Sequence, residues 1–350
     1  MSFYLENKKK MKKIAILRAL LLGDLLCLVP SLRALRKALP KSEVTLIGLP
    51  WAASFARRFS HYIDRFMEFP GYPGLPERKP DMEAIQEFIR SCRRQNFDLA
   101  LQMHGDGTFV NTLIELLGAK RTAGFYSKDS WRPHPETFTR WPEKGHEIRK
   151  LLGLLKFLGI PPSGEKLEFP VYEQDKEEFL KIKEDYYLKD NNYICLHPGA
   201  RFSSRRWDTG KFASLAQRLV SDGHTVVATG TKKEEKLIKG SFGHALNKII
   251  SLAGKTSLGS LALLLKNARL LITNDTGVSH LAAAMKTKSL VIVTGSDPAR
   301  WAPLNHRLHP YIFHPVSCRP CPYVNCPFDR SCSSGIPVKN VYDLCNQSLA

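Results

Sequence analysis

Short apolar runs alternate with amphipathic stretches through the first part of the chain. Apolar runs occupy residues 12–17, 43–49 and 97–102, and residues 24–39 repeat leucine and valine at helical spacing. Runs of this length are typical of buried parallel strands, and the stretches between them are typical of crossover helices. The pattern therefore predicts repeated βα units, which form a parallel sheet covered by helices.

The second half of the chain starts the same alternation again. Strands are predicted at 193–196, 224–229, 249–251, 270–272 and 289–294. One helix is predicted before the first of these strands, at 175–187. Others are predicted between the strands at 209–222 and 260–267, and another begins at 234. The pattern gives 289–294 as the last clear strand, and it gives residues 126–145, rich in Pro, Trp and charge, as irregular.

A proline-rich segment, residues 161–172, separates the two halves. A chain of 350 residues exceeds the size at which a single core is usual. We therefore expect an α/β protein with two facing Rossmann-like domains, residues 1–172 and 173–350. The ligand would lie in the cleft between them.

The stretch LLITNDTGVSHLAAA, residues 270–284, has the form of a strand, a turn and a helix. Asp275 is predicted to cap a helix that includes residues 279–285. A helix N-terminus with free N–H groups, beside a glycine such as Gly277, is suited to binding phosphate. The alternative is a buried turn without a ligand.

Three loops of the second half follow predicted strands and so belong to one edge of the sheet: residues 197–207, 230–235 and 274–280. They contribute glycines, arginines and carboxylates, namely Arg201, Arg205, Arg206, Glu234 and Glu235. Arginine suits phosphate, and a carboxylate suits ribose hydroxyls. The combination predicts a nucleotide diphosphate, although the dinucleotide-binding and P-loop fingerprints are absent from the sequence.

Asp24 follows the first predicted strand and stands at the start of the first long helix. In open α/β sheets this edge is where ligands bind. The alternative is that Asp24 only caps the helix.

The formal net charge of +19 indicates an anionic partner: nucleic acid, an acidic membrane or a phosphorylated substrate. No pattern typical of a nucleic-acid-binding module accompanies it. The sequence has no secretory signal and no run of about 20 apolar residues, so no membrane span is expected. Cys27, Cys92 and Cys195 lie in apolar contexts and are expected to be reduced, as in a cytosolic protein.

Four cysteines near the C-terminus have a spacing that zinc sites also use: Cys318, Cys321, Cys326 and Cys332. They are the candidates for a structural metal. The alternative, which we favour, is that these cysteines bind no metal.

Three motifs together resemble glycosyltransferase family 9, the ADP-heptose:lipopolysaccharide heptosyltransferases. They are Gly23-Asp24, the segment HPGA…RRW at 197–207 and NDTGVSHLAAA at 274–284. The resemblance covers residues 13–329. It implies the GT-B fold, inverting transfer of heptose from ADP-heptose to the lipopolysaccharide inner core (Kdo or heptose) and no cofactor or metal requirement. It also implies a cytoplasmic protein, peripheral on the inner face of the inner membrane.

The resemblance also implies residue roles. Asp24 would be the general base, and Arg205, where the family commonly has Lys, would pair with the diphosphate. Thr276 and Gly277 would offer N–H groups to the phosphates, Glu234 (or Glu235) would bind ribose, and Thr256 would border adenine. The expected donor-binding set is Gly23, Gly199, Ala200, Arg201, Arg205, Glu234, Thr256, Asp275, Thr276, Gly277 and His280.

One departure is the apolar loop of residues 19–22, where the family usually has Ser or Thr before Gly-Asp. His104 could face the acceptor or be structural. Arg57, Arg58 and the N-terminal lysines could meet an anionic membrane or only form a solvated basic face. Three other functions stay open: a GT-B transferase with another nucleotide-sugar donor, a basic nucleic-acid-binding protein, and a binding protein of this fold without catalysis.

Overall fold

A computed structural model of the chain describes residues 3–242 and 248–349. The chain divides into two compact units, Met1–Lys166 and Leu167–Ala350. Each unit is described by itself.

The first unit is a parallel sheet with helices between its strands. Its strands are β1 (Lys13–Leu17), β2 (Glu43–Gly48), β3 (Arg65–Glu68), β4 (Leu99–Gln102), β5 (Thr122–Tyr126) and β6 (Phe138–Arg140). Its helices are α1 (Phe3–Asn7), α2 (Leu22–Ala38), α3 (Ala52–Arg58), α4 (Met82–Gln95), α5 (Val110–Leu116) and α6 (Glu147–Phe157), with a 3₁₀ turn at Lys8–Lys10. The strand order is β3-β2-β1-β4-β5-β6, and every pairing is parallel.

Local sequence signals account for these elements. Residues 14–17 of β1 are fully or almost fully buried, as expected of a central strand with helices on both faces. Helix α4 begins after Asp81, whose carboxylate accepts the N–H groups of Glu83 and Ala84. The same helix ends at Asn96, which adopts the left-handed conformation that asparagine tolerates.

The second unit repeats this architecture. Its strands are β7 (Tyr193–His197), β8 (Thr225–Ala228), β9 (Ile250–Ser251), β10 (Leu270–Asn274), β11 (Ser289–Val293) and β12 (Tyr311–Phe313). Its helices are α7 (Glu173–Asp185), α8 (Thr209–Ser221), α9 (Glu235–Phe242), α10 (Leu258–Lys266), α11 (Gly277–Met285), α12 (Pro298–Trp301), α13 (Ser331–Ser334) and α14 (Val338–Leu349), with 3₁₀ turns at Ser203–Arg205 and Lys232–Glu234. The parallel strand order is β12-β11-β10-β7-β8-β9.

Both sheets have the same connectivity when their strands are counted from the first strand of each unit. In each sheet the first and fourth strands are neighbours, β1 beside β4 and β7 beside β10, and the chain leaves them toward opposite edges. Such a reversal of strand order opens a crevice at the carboxyl ends of the two strands, where ligands of open α/β sheets bind. Ligand-binding residues are therefore expected on the loops after β1, β4, β7 and β10.

The expected fold class is confirmed, with two Rossmann-like units and parallel sheets. Two details of the element prediction are wrong. The segment 126–145 contains strand β6, and strand β12 follows 289–294. Both are three-residue edge strands, too short to give the longer apolar run of a central strand, although β12 (Tyr-Ile-Phe) is apolar and Phe138 of β6 is buried. No helix among the described residues is long and apolar enough to span a membrane.

Candidate active site

Asp24 lies in the first turn of α2, directly after β1. The helix begins at Leu22, so Asp24 is its third residue and not the capping position in front of it. One carboxylate oxygen of Asp24, Oδ2, accepts the N–H of Leu21 at 3.2 Å, and its side chain is 21% exposed. Gly23 beside it is buried. The carboxylate is held by the loop and still reachable by a ligand.

A buried arginine stands behind Asp24. The side chain of Arg18 is fully buried, and its Nη2 lies 2.9 Å from Oε1 of Glu147 and 3.8 Å from Oδ1 of Asp24. Glu147, the first residue of α6, is itself only 1% exposed. Sequence reasoning assigned no role to Arg18 or Glu147. The one available signal was an arginine placed directly after an apolar strand.

His104, on the loop after β4, has a structural role. Its Nδ1 accepts the N–H of Ala19 at 3.1 Å, and its Nε2 lies 3.5 Å from Oε2 of Glu77. The ring is 4% exposed. His104 thus joins the loop after β4 to the loop after β1 and fixes the backbone that leads to Asp24.

In the second unit, Asn274 joins the loops after β7 and β10. Its Oδ1 accepts the N–H of Trp207 at 2.8 Å, and its Nδ2 donates to the carbonyl of Pro198 at 2.8 Å. Trp207 is fully buried, and its indole N–H donates to Ile336 O at 3.0 Å. Asn274 was part of a predicted loop but was not predicted as a site residue. Its amide is the link that holds the loop of residues 198–207 against β10.

Asp275 directly follows β10, and the charges of two arginines, Arg205 and Arg319, act on its carboxylate. It does not cap α11 as predicted, because the residue at the capping position is Thr276 and the carboxylate of Asp275 instead accepts a hydrogen bond from Ser296 Oγ. Burial raises the pKa of Asp275 to about 6, against the opposing effects of the Ser296 hydrogen bond and of the charges on Arg205 and Arg319.

Both arginines carry donors that are not used. Arg205 Nη2 donates to Cys321 O at 3.0 Å, and Arg319 Nη1 donates to Ser296 O at 2.7 Å. Within the part of the chain that the structure describes, the buried Nε of each has no hydrogen-bond partner. Burial lowers the pKa of both guanidinium groups. Buried cations with unsatisfied N–H groups fit an anionic ligand, since a buried donor without a partner is costly.

The N-terminus of α11 lies next to Asp275. Thr276 Oγ1 accepts the N–H of Val278 at 3.4 Å, and Gly277 is the first helical residue. His280 is buried in the next turn, and its ring meets Trp301 edge to face at 6.4 Å. Phosphate binds well at such a terminus because the first N–H groups and the helix dipole point toward it.

Gly199 and Glu234 are in direct contact. A Cβ atom on Gly199 would lie 2.1 Å from Oε1 of Glu234, so only glycine leaves room for that carboxylate. Oε2 of Glu234 accepts the N–H of Thr231 at 2.8 Å. Glu235 is turned to another partner, Lys239, at 2.6 Å. Of the two expected ribose ligands, Glu234 is therefore the one beside the loop after β7.

The loop that carries Thr256 packs on the loop that carries Glu234. Gly254 N donates to Gly230 O at 2.8 Å, and a Cβ on Gly254 would lie 3.0 Å from Cα of Lys232. Thr256 follows two residues later and is half-buried. Both predicted nucleoside contacts thus belong to adjoining loops.

The remaining predicted donor residues lie on the loop after β7. Ala200 is buried, and its carbonyl accepts Nε and Nη2 of Arg206 at 2.9 and 2.7 Å. Arg201 is exposed, with its guanidinium 5.2 Å from the ring centre of Phe202. The structure thus brings Ala200 next to the Gly199–Glu234 contact and leaves Arg201 on the surface.

The C-terminal cysteines are not assembled into a metal site. Cys318, Cys321, Cys326 and Cys332 are all free thiols. No cluster of three or more His, Cys, Asp or Glu side chains that could hold a metal ion occurs among residues 3–242 and 248–349. The segment instead packs on the loop after β11, where Cys321 N donates to Gly295 O at 2.8 Å.

Known proteins of one family are similar to this chain in sequence. A model of glycosyltransferase family 9 (heptosyltransferase) matches residues 85–331. Lipopolysaccharide heptosyltransferase 2 of Salmonella typhimurium is 32% identical over 317 residues, which cover 84% of this chain and 86% of that protein. Lipopolysaccharide heptosyltransferase 3 of Escherichia coli is 24% identical over 82% of this chain and 84% of that protein.

Solved structures share the fold over nearly the whole chain. A family 9 glycosyltransferase from Veillonella parvula has a TM-score of 0.77 at 20% identity and covers 97% of both chains. The ADP-heptose heptosyltransferase II of E. coli has a TM-score of 0.69 at 18% identity, covering 97% of this chain and 98% of that one. The family model matches most of the chain, and the 32% identical relative covers 84% of it, so the protein belongs to glycosyltransferase family 9.

Proposed function

We propose that this protein transfers heptose from ADP-heptose to the inner core of lipopolysaccharide, with inversion at the anomeric carbon. The observation that carries the proposal is family membership, through relatives that are lipopolysaccharide heptosyltransferases along more than four-fifths of the chain. The geometry of the site supports it, because each chemical requirement of the reaction has a residue of suitable type.

The second unit is proposed to bind ADP-heptose. The diphosphate would receive N–H groups from Gly277 and its neighbours at the start of α11, and the unused donors of Arg205. These groups stabilise the negative charge that develops on ADP as it leaves. The carboxylate of Glu234 would accept hydrogen bonds from the ribose hydroxyls, and Thr256 would border the adenine. No metal is needed in this scheme to neutralise the leaving group.

Asp24 of the first unit is proposed as the general base. Its carboxylate would take the proton from the acceptor hydroxyl while that oxygen forms a bond to the anomeric carbon and the bond to the ADP oxygen breaks. Two features support the role. The carboxylate is accessible, and its orientation is fixed by the N–H of Leu21. An inverting displacement needs one base on the face opposite the leaving group.

The decisive experiment is single-turnover transfer from ADP-heptose to purified Kdo–lipid A, and to the same acceptor carrying one heptose. We expect ADP release and an acceptor heavier by one heptose. Asp24→Asn keeps an acceptor for the Leu21 N–H but cannot take a proton, so transfer falls about 10²–10⁴-fold. ADP binding by calorimetry should be unchanged, because the residues proposed to contact ADP itself, such as Arg205, Glu234 and Gly277, belong to the other unit.

Three results would contradict parts of this proposal. Transfer from a UDP- or GDP-sugar in place of ADP-heptose would keep the enzyme class and change the donor. Full activity of Asp24→Asn would remove the base. Salt-sensitive DNA binding without ADP binding would replace the transferase by a nucleic-acid-binding protein.

We further propose that the protein works at the anionic face of the inner membrane, in the cytoplasm. A surface cavity at the amino-terminal ends of β1, β4 and β5 is lined by five cations and one carboxylate, namely Lys9, Lys10, Lys12, Lys120, Arg121 and Asp98. Asp98 bonds to Lys120 at 2.7 Å, which leaves a net positive surface. Each Lys or Arg near an anionic membrane contributes about 1 kcal/mol.

Vesicle sedimentation tests this location. Replacing Lys9, Lys10 and Lys12 together by Gln should weaken binding to phosphatidylglycerol vesicles about a hundredfold and leave phosphatidylcholine binding negligible. The matched control replaces three exposed lysines of the second unit by Gln: Lys176, Lys181 and Lys339. Equal losses in both triple variants would mean that only net charge matters and would contradict a specific basic surface.

A further inference from the structure

We infer that Arg18 is a positioning residue for Asp24 and that Glu147 sets how much of the positive charge of Arg18 acts on that carboxylate. The inference rests on the proposed role of Asp24 as base. It concerns a group of two carboxylates, Asp24 and Glu147, around the buried guanidinium of Arg18, to which neither the sequence motifs nor the family resemblance assigns a role.

The guanidinium of Arg18 is fixed from three directions. Its Nε donates to the backbone carbonyl of Asp24 at 2.9 Å, and its Nη1 donates to the carbonyl of Met103. Its Nη2 donates to Oε1 of Glu147 at 2.9 Å. One side chain therefore ties together the turn that carries Asp24, the loop after β4 and the start of α6. A planar guanidinium can do this because its donors point in fixed, diverging directions.

The contact between Arg18 and the side chain of Asp24 is of a different kind. Nη2 lies 3.8 Å from Oδ1, which is beyond hydrogen-bond length but within the range of a strong electrostatic interaction. Oδ2 of the same carboxylate is held by the N–H of Leu21 at 3.2 Å. The carboxylate is thus oriented at one oxygen, and its negative charge is stabilised by Arg18 without a proton being shared.

Glu147 moderates this effect. A buried arginine with no other partner would hold Asp24 so strongly as a carboxylate that its ability to accept a proton would be reduced. Glu147 is closer to the guanidinium than Asp24 is and is almost completely buried, so it takes the larger share of the charge. On the adjoining loops, His104 and Glu77 face each other at 3.5 Å. At the start of α6, two more buried ionisable groups flank Glu147: His146, whose Nδ1 accepts the N–H of Ile148 at 3.2 Å, and Lys150, whose Nζ lies 4.7 Å from the ring centre of Trp141.

This arrangement predicts opposite changes from two neutralising substitutions. In Glu147→Gln the full charge of Arg18 acts on Asp24, so the acid limb of the pH profile of kcat/KM moves to lower pH. In the double variant Arg18→Gln/Glu147→Gln both charges are gone and a hydrogen bond between the amides can remain. The acid limb then moves to higher pH, because an opposite charge near a carboxylate favours its ionised form.

The rate of heptose transfer should depend on the orientation of Asp24 as well as on the charges near it. We expect the double variant to lose about 10–100-fold in kcat, because a misplaced base is costly even when it is present. Arg18→Lys keeps the charge but cannot make all the bonds of Arg18, so it should lose rate with its acid limb unmoved. Binding of ADP should be the same in all variants. The matched control is Arg149→Gln/Glu165→Gln, the same two replacements at an exposed ion pair that includes a residue of α6.

The experiment measures heptose transfer from pH 5 to pH 9, the midpoint of thermal unfolding and ADP affinity for each variant. Acid limbs that move in opposite directions for Glu147→Gln and the double variant, with the control unmoved, support the inference. Acid limbs that stay in place while rates fall in parallel with thermal stability overturn it and leave Asp24 as base. If Asp24→Asn transfers as well as the wild type, the base assignment fails and this inference fails with it.

Discussion

Oδ1 of Asn274 accepts a hydrogen bond of 2.8 Å from the backbone N–H of Trp207. Asn274 is the last residue of β10, and Trp207 stands at the end of the loop that follows β7. Both partners are fully buried, so the bond cannot be replaced by water without opening the structure. Together with the bond from Asn274 Nδ2 to the carbonyl of Pro198, this contact fastens the loop of residues 198–207, part of the proposed donor site, to β10.

Replacing Asn274 by Ala should destabilise the second unit. The change leaves the N–H of Trp207 and the carbonyl of Pro198 without their partner, at a cost of about 2–4 kcal/mol. We expect the free energy of unfolding in urea, followed by tryptophan fluorescence, to fall by that amount and ADP affinity to fall with it. Asn340→Ala, at an exposed position of α14, is the control and should change stability by less than about 0.5 kcal/mol. Equal stability of the two variants would contradict the role of Asn274.

Asp275 should make stability depend on pH between about 4 and 6. Its pKa is raised from 3.8 to about 6 by burial, so the folded state favours the protonated carboxyl. The stabilising contribution of the proton is complete below about pH 4 and is lost as pH rises through about 6. Since one pKa unit corresponds to about 1.4 kcal/mol, the loss is of the order of 3 kcal/mol.

Asp275→Asn provides the measurement for this dependence. The amide cannot ionise, so the variant should gain stability relative to the wild type as pH rises from 4 to 7. Urea unfolding of both proteins at four pH values gives the difference in the free energy of unfolding. A difference that is constant over this range would show that Asp275 has an ordinary pKa.

Arg205→Met should weaken ADP binding about 10–100-fold, because a charge-assisted hydrogen bond to phosphate contributes about 1.5–3 kcal/mol. Adenosine has no phosphate, so its affinity should be unchanged. Calorimetry with ADP, AMP and adenosine separates these contributions. Arg218→Met, at an exposed position of α8 that packs on Tyr342, is the control. Parallel losses for ADP and adenosine would place Arg205 in a structural role only.

Gly199→Ala should disturb Glu234 and leave the fold intact. The new methyl group would collide with a carboxylate at the end of a flexible side chain, which can turn away at little cost in stability. If Glu234 binds ribose, ADP affinity should fall about tenfold in Gly199→Ala and in Glu234→Gln, and no further in the double variant. Glu235→Gln should bind ADP normally, since Glu235 pairs with Lys239. Additive losses from Gly199→Ala and Glu234→Gln would contradict a shared function.

The order of elements could be predicted from the chain because it depends on local patterns. The apolar run of residues 270–272 reflects burial of β10 on both of its faces, and the periodic apolar face of α8 reflects burial of one side of that helix. The exceptions, β6 and β12, are edge strands of only three residues, too short to be recognised from their sequences as strands. They form because a neighbouring strand already offers its backbone groups.

What the sequence by itself determined is the alternation of strands and helices, the two halves, the loops that carry the motifs and the family to which those motifs belong. Only the tertiary structure decided which side chains meet. Arg18 reaches Glu147 across 129 positions of the chain, and Asn274 reaches Trp207 across 67. Asp275, predicted as a helix cap, instead accepts a hydrogen bond from Ser296, which lies 21 positions away in the chain. Such contacts depend on strand order and on the packing of distant loops, so they cannot be predicted from the spacing of residues along the chain.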